Sequence, residues 1–142
     1  MGFSHVAAAA IIGSSILLSM EILTGGILPT VDDFNDSYDD MKTRSIAKFQ
    51  TDINITNAIT SPNGSNYDLN ITVKNTGNMD LETVDFNTLI NGTIEKFICA
   101  DPYLYPENDV YFKIFNLSGT GKRRLKIVTG NGISDYYSYI IT

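Results

Sequence analysis

The first stretch of the chain, from Phe3 to Leu23, is almost entirely apolar, and no charged residue occurs between Val6 and Met20. A helix of about 21 residues rises about 31 Å, which is close to the hydrocarbon thickness of a bilayer. The pattern therefore predicts one transmembrane anchor helix over residues 3–23. The side chains predicted to anchor it are the apolar residues Val6, Ile11, Ile12, Ile16, Leu17 and Leu18.

A cleaved secretory signal is the alternative interpretation of this segment. Such a signal needs a basic stretch before its apolar run and a small-residue cleavage site after it. No Lys or Arg precedes the run here, and the run is longer than the apolar part of a usual signal. We therefore expect an anchor that is not cleaved.

Residues 24–50 are predicted to form a linker and a helical stalk. Gly25, Gly26 and Pro29 predict that the first helix ends or bends there. After them, apolar or small residues recur at spacings of three and four, which is typical of an amphipathic helix. These residues are Val31, Phe34, Tyr38, Met41, Ser45 and Phe49. The start of a calcium loop at Asp33 lacks the glycine and final glutamate of an EF-hand, so a solvated helix face is the preferred interpretation.

From residue 51 to residue 142 the apolar period changes to two, which is the period of a half-buried strand. The clearest case runs from Tyr67 to Val73, and Val84 and Phe86 predict another strand. Asn91-Gly92 between apolar segments predicts a two-residue hairpin with both residues at positive φ. About seven short strands separated by turn residues predict an all-β immunoglobulin-like sandwich, preceded by the transmembrane helix and the short stalk.

The charge of the chain argues against nucleic acid as a partner. The 142 residues carry a formal net charge of −6, whereas phosphate binding needs clustered Lys and Arg. The basic residues Lys122, Arg123, Arg124 and Lys126 are interpreted as a solvated strand end. The overall acidity also favours a basic patch on whatever partner the protein binds.

Residues able to do catalytic or metal chemistry are scarce. Cys99 is the single cysteine and His5 is the single histidine, and His5 lies in the membrane segment. No disulfide and no cysteine-based metal site can form within one chain. We expect Cys99 to be a buried apolar residue and the protein to be neither an enzyme nor a cofactor-binding protein.

Six asparagines begin an Asn-x-Ser/Thr sequence, where chance would give about two, so N-glycosylation is a candidate modification. They are Asn35, Asn54, Asn63, Asn70, Asn91 and Asn116. All six follow the apolar helix. This favours a single-pass membrane protein with its N-terminus in the cytoplasm and its β domain outside. A polar β protein rich in Asn turns and Thr strands is the alternative explanation of the same excess.

The layout and four segments resemble the archaeal flagellum (archaellum) accessory proteins called F and G, and F more closely. The segments are MGFSHVAAAAIIGSSILLSMEIL at the start, LNITVKNTGN at 69–78, YPENDVYFKI at 105–114 and KIVTGNGISDYYSYI at 126–140. The resemblance implies a motor stator component in the cell membrane whose β domain binds the surface-layer protein beneath that layer. A G-type stator protein is the second implied partner, and homo-oligomerisation stays open.

Exposed tyrosines favour interfaces, because one end of the side chain is apolar and the other is polar. The candidate partner-binding residues lie in the loop 101–109 and in the last strand. They are Tyr103, Tyr105, Tyr136, Tyr137 and Tyr139. Packing inside the domain is the alternative role of the last three.

A pilin- or archaellin-like filament subunit is the competing function. In such a subunit the apolar helix packs with many copies into a filament core, and the β domain forms the outer wall. Those proteins carry a basic leader with a peptidase site, which does not precede the apolar run here. A membrane-anchored hydrolase is a third class, and it is disfavoured by the lack of catalytic residues.

Overall fold

A computed structural model describes residues 2–141. The chain divides into two compact units, Met1–Thr43 and Arg44–Thr142. The elements in chain order are α1 (Gly2–Ile22), a π-helical segment (Leu23–Ile27), α2 (Leu28–Gln50), β1 (Ile53–Asn63), β2 (Asn66–Asn75), β3 (Leu81–Glu82), a 3₁₀ turn (Thr83–Asp85), β4 (Asn87–Ile90), β5 (Thr93–Glu95), β6 (Ile98–Cys99), β7 (Tyr103–Leu104), β8 (Asp109–Leu117), β9 (Gly121–Val128) and β10 (Ser134–Ile141).

The first helix does not end at the glycines. Helical structure continues through the π-helical segment, where the N–H of Leu28 donates to the carbonyl of Leu23. Pro29 explains the wider turn, because it has no N–H to donate and its ring would collide with the carbonyl four residues earlier. Continuous helix from Gly2 to Gln50 contains a segment long and apolar enough to cross a membrane.

The strands pair antiparallel in two four-stranded sheets. Sheet 1 has the order β1-β2-β8-β6 and sheet 2 has the order β10-β9-β4-β5, while β3 and β7 form a short two-stranded pair. Seven strands have three or more residues, and the other three have only two each. An all-β antiparallel domain after a long N-terminal apolar helix is thus confirmed, and its two sheets are consistent with the immunoglobulin-like sandwich.

One core lies between the two sheets. Sheet 1 contributes Leu69, Ile71 and Phe112, and sheet 2 contributes Leu125 and Ile127, all of them at most 1% exposed. These residues alternate with partly buried or exposed neighbours along their strands, which is the pattern expected when each sheet buries one face. At one side of the sandwich a hydrogen bond joins the edge strand of sheet 1 to the edge strand of sheet 2. The N–H of Ile55 on β1 donates to Asp135 Oδ2 on β10 at 2.7 Å.

The prediction of a strand around Val84 and Phe86 is wrong. The structure has a 3₁₀ turn over Thr83–Asp85, in which Val84 is exposed. The buried residues are Thr83 and Phe86, three apart, which is the repeat of a 3₁₀ turn rather than of a strand. Phe86 packs on Phe112 with ring centroids 5.5 Å apart, so burial at these two positions decides the local backbone.

The end of α2 is fixed to the sandwich by the turn that follows β2. The N–H groups of Thr76 and Gly77 both donate to the carbonyl of Asp52, at 3.0 and 3.1 Å, and the N–H of Asn78 donates to the carbonyl of Gln50 at 2.8 Å. The hydroxyl of Thr76 also donates to Asp52 Oδ2 at 2.8 Å. These bonds give partners to carbonyls at the helix end that no helical N–H can reach.

Candidate partner-binding surfaces

The six predicted anchor residues all lie on α1 and are exposed in the protein alone. Three serine hydroxyls of this helix donate to carbonyls within it: those of Ser14 and Ser15 donate to Ile11 at 2.9 and 2.8 Å, and that of Ser19 donates to Ser15 at 2.8 Å. Polar groups in a bilayer must find partners inside the protein. The hydroxyls of these three serines meet that requirement without a second helix.

The six candidate glycosylation residues are all exposed. Asn35 lies on α2, Asn91 lies in the β4–β5 turn, and the other four belong to sheet 1 or its ends. Within sheet 1, Asn54 and Asn70 point away from the core, since both of their sequence neighbours are buried. The outer face of sheet 1 therefore presents two of the candidate acceptors from its strands.

Asn63 and Asn116 meet around one carboxylate at the end of sheet 1. The Asn116 backbone N–H donates to Asp68 Oδ1 at 2.9 Å, and the Asn63 amide donates to the same oxygen at 3.0 Å. These two hydrogen bonds, that from Asn116 being the larger influence, hold the pKa of Asp68 below its ordinary value. Asn116 has a positive φ of 61°, which Asn tolerates better than most residues.

Tyr103 on β7 and Tyr105 directly after it present an exposed aromatic pair, so the segment 101–109 predicted as a loop contains a short strand. Their ring centroids are 6.1 Å apart. Leu104 between them is fully buried, so the backbone alternation turns both tyrosines outward. The base of the loop is fixed by Asn75, whose buried amide donates to the carbonyl of Leu104 at 3.1 Å. The loop thus holds two aromatic side chains at the surface on a fixed backbone.

The three tyrosines of β10 do not share one face. Tyr136 is exposed, Tyr137 is partly buried against the core, and Tyr139 is only 4% exposed. The hydroxyl of Tyr139 lies 2.9 Å from that of Tyr67, and burial raises the pKa of Tyr139. Tyr139 is a core residue because odd-numbered positions of β10 face inward, so in the folded domain it is not available to a partner. Tyr136 is the tyrosine of this strand that a partner can reach.

The four basic residues of β9 lie on two different sides of the strand. The interpretation from the sequence, a solvated strand end, did not distinguish these two sides. Arg123 is partly buried on the inner side, whereas Lys122, Arg124 and Lys126 alternate with it and face outward. The guanidinium carbon of Arg124 lies 4.3 Å from the ring centroid of Tyr136, and Lys126 Nζ lies 5.1 Å from it. The structure thus places two cations over the exposed tyrosine of the neighbouring strand, with Lys122 further along β9 on the same side.

Cys99 lies beside an open cleft of about 590 Å³ on the β5–β6 side of the sandwich. It is partly buried against the core, and its thiol donates to the carbonyl of Asp101 at 3.3 Å. Ile94 and Ile98 line the same cleft and are exposed. Over residues 2–141, no group of three or more His, Cys, Asp or Glu side chains could hold a metal ion.

Comparison with known proteins gives a likeness over both units. No family model matches the sequence. A protein of Methanocaldococcus jannaschii described as "Putative flagella-related protein F" is 28% identical over 145 residues, covering 97% of this chain and 99% of that protein.

A solved structure shares the fold. It is that of the archaellum periplasmic stator protein FlaG from Sulfolobus acidocaldarius, with a TM-score of 0.51 and 20% identity, and the match covers 63% of this chain and 99% of that one. The resemblance to the archaellum accessory proteins F and G is thereby confirmed.

Proposed function

We propose that this chain is a stator component of the archaellum motor, anchored in the cytoplasmic membrane by its apolar helix and bound to the surface-layer protein by its β domain. The observation that carries the proposal is the likeness to the flagella-related protein F, because it covers 97% of this chain and so includes the helix as well as the sandwich. The fold shared with a stator protein supports the same role.

The two units suit a part that resists torque. A stator needs one end in the membrane and the other on a rigid external structure, and it needs no reaction chemistry. The apolar helix supplies a membrane-compatible segment. The hydrogen bonds from residues 76–78 to residues 50–52 fix the last helical turn to the sandwich, so a load on the domain reaches the helix through bonded backbone.

The β domain is the unit with surfaces suited to a protein partner. It presents the aromatic pair Tyr103 and Tyr105 and the exposed Tyr136, and all three are held by well-packed backbone. Aromatic residues on a rigid support are common anchors of protein interfaces. We propose a non-catalytic protein that acts by binding, with the surface-layer protein and a G-type stator protein as its partners.

The direct test is binding to purified surface-layer protein. Residues 44–142, which contain the whole core, should bind the immobilised surface-layer protein with an affinity of about micromolar, which suffices when several tethered copies act together. A peptide of residues 2–43 in detergent is the matched control and should not bind. Cells that lack the protein should assemble filaments and swim poorly.

The filament-subunit alternative predicts a different result. A filament subunit polymerises through its apolar helix when detergent is removed, whereas a stator component remains a monomer or a small oligomer. Sizing of the full chain before and after detergent removal separates the two. Filaments from the purified chain, together with no binding of residues 44–142 to the surface-layer protein, would contradict the stator proposal.

A further inference from the structure

The outer face of sheet 2 combines positive charge with apolar contact area. Its cations are Lys122, Arg124 and Lys126, which alternate along β9 and are therefore about 7 Å apart. Lys126 pairs with Tyr136 on β10 at one side and with Leu89 on β4 at the other. Leu89 in turn pairs with Ile94 on β5. We call this surface the basic–aromatic face, defined by Leu89, Ile94, Lys122, Arg124, Lys126 and Tyr136.

In the described part of the chain, the outward positions of sheet 2 contain no Asp or Glu. The two carboxylates of its strands lie elsewhere. Glu95 pairs with the buried Thr88 and so lies on the inner side, and Asp135 accepts the N–H of Ile55 on the edge of sheet 1. Among residues 2–141, no acidic neighbour on the face neutralises the three cations.

Tyr136 holds two of the three cations, Arg124 and Lys126, in place. Arg124 and Lys126 both lie over its ring, at 4.3 and 5.1 Å from the centroid, and a cation over an aromatic face is attracted by the ring's negative charge distribution. Long basic side chains usually lose conformational freedom on binding, which weakens an interaction. Because Tyr136 already restricts Arg124 and Lys126, part of this conformational freedom is lost before a partner binds.

The rest of the protein has the opposite charge. The formal net charge is −6 with ten Lys and Arg in total, and four of those ten lie on β9. An acidic partner is therefore repelled by most of the surface and attracted by the basic–aromatic face. Such asymmetry orients an encounter and raises the association rate.

We infer that the basic–aromatic face binds a carboxylate-rich patch on a protein partner. The inference rests on the proposed function and assigns it to a surface, since the surface-layer protein would be the owner of that patch. A protein is chosen over an anionic lipid surface because the proposed function gives the β domain a protein partner, and the vesicles in the test below separate the two. Mixed aromatic, apolar and arginine surfaces are typical of protein interfaces.

The test compares two charge reversals in the full chain held in detergent. Lys122→Glu/Arg124→Glu alters the basic–aromatic face. Lys48→Glu/Lys113→Glu alters two exposed lysines elsewhere, on α2 and on sheet 1, and changes the net charge by the same amount. The probes are purified surface-layer protein, poly-L-glutamate and vesicles containing an anionic phospholipid, and thermal unfolding verifies that both variants fold.

The expected result is that the face variant binds the surface-layer protein at least tenfold more weakly, whereas the control variant stays within twofold of the unaltered chain. Binding of the unaltered chain to both the surface-layer protein and poly-L-glutamate should fall as salt is raised. Equal binding by the two variants would overturn the inference and leave the proposed function intact. No binding of the unaltered chain to the surface-layer protein would count against the proposed function itself. Charge-dependent binding to the vesicles alone would overturn the inference in favour of a membrane-docking face.

Discussion

The backbone of the β4–β5 hairpin depends on two residues at positive φ. Asn91 has φ of 49° and Gly92 has φ of 90°, and the flanking pairs Ile90–Thr93 and Leu89–Ile94 are in register. The two-residue turn predicted from Asn-Gly is thus confirmed. A hydrogen bond also ties the turn to the neighbouring strand β9, since the Asn91 side chain accepts the N–H of Arg124 at 2.9 Å.

Substitution of Gly92 by valine tests this turn. A β-branched side chain is strained at positive φ, so Gly92→Val should lower the free energy of unfolding by about 1–3 kcal/mol. Urea unfolding followed by circular dichroism measures the change. Gly92→Asn is the matched control and should lose less, because Asn adopts positive φ more readily. A neutral valine variant would mean that the hairpin does not depend on this conformation.

The buried hydroxyls of Tyr67 and Tyr139 satisfy one another. Tyr139→Phe leaves the Tyr67 hydroxyl buried without its partner and should cost about 1–2 kcal/mol of stability. The double variant Tyr67→Phe/Tyr139→Phe removes both groups and should cost less than the sum of the two single variants. A double-mutant cycle of unfolding free energies measures the coupling, and simple additivity would show that the bond contributes nothing.

The same pair should make the domain sensitive to alkali. Burial raises the pKa of Tyr139 above its unfolded value of about 10, so the neutral form is favoured by the fold. This contribution to stability is fully present below pH of about 10 and is lost as the pH rises toward the folded-state pKa. Tyr139→Phe should flatten that loss in a pH series of urea midpoints.

At the scale of single elements, the period-two pattern predicts which strands exist and which side each residue takes. It fails where burial follows another spacing, as with Thr83 and Phe86 in the 3₁₀ turn. The pattern also cannot pair residues across strands. Tyr136 meets Arg124 and Lys126 only because β10 and β9 pair in one register, which a single sequence does not encode locally.

The junction of α2 with the sandwich depends on a glycine. A Cβ on Gly77 would lie 2.5 Å from the backbone N of Asp52 and would also overlap the carbonyl oxygen of Gln50. The carbonyl oxygen of Gln50 is held by the N–H of Asn78, and Asp52 is held through its own carbonyl by the N–H groups of Thr76 and Gly77, so a shift of this backbone would disturb the bonds that fix the helix end. The Asn-Thr-Gly sequence at 75–77 therefore both ends β2 and contacts the end of α2.

Gly77→Ala should therefore destabilise residues 44–142 by about 2–3 kcal/mol, as forced overpacking does elsewhere. Gly64→Ala is the control: its φ is positive at 65°, but nothing lies within 4 Å of the added Cβ, so only backbone strain of about 1 kcal/mol is expected. Thermal and urea unfolding measure both. A Gly77 variant as stable as the Gly64 variant would show that the junction yields to the methyl group.

For the whole molecule, net charge and charge distribution point to different partners. A net charge of −6 by itself predicts a basic partner. The basic–aromatic face predicts an acidic patch on the partner, because binding depends on the local surface and not on the total charge. Which residues of β9 face outward follows from its alternation, but their proximity to Tyr136 needs the sheet register.

The orientation of the protein in the membrane is the last prediction. All six candidate glycosylation residues follow α1 and all are exposed, which is the arrangement expected if the β domain lies outside the cell membrane. Added protease should then digest the β domain in intact cells stripped of their surface layer, with cleavage expected first at the exposed turns such as Gly64 and Gly92. A cytoplasmic protein that stays intact in the same sample shows that the cells have not lysed. Digestion that occurs only after the cells are broken would place the domain inside, and binding to the surface-layer protein would then be excluded on geometric grounds.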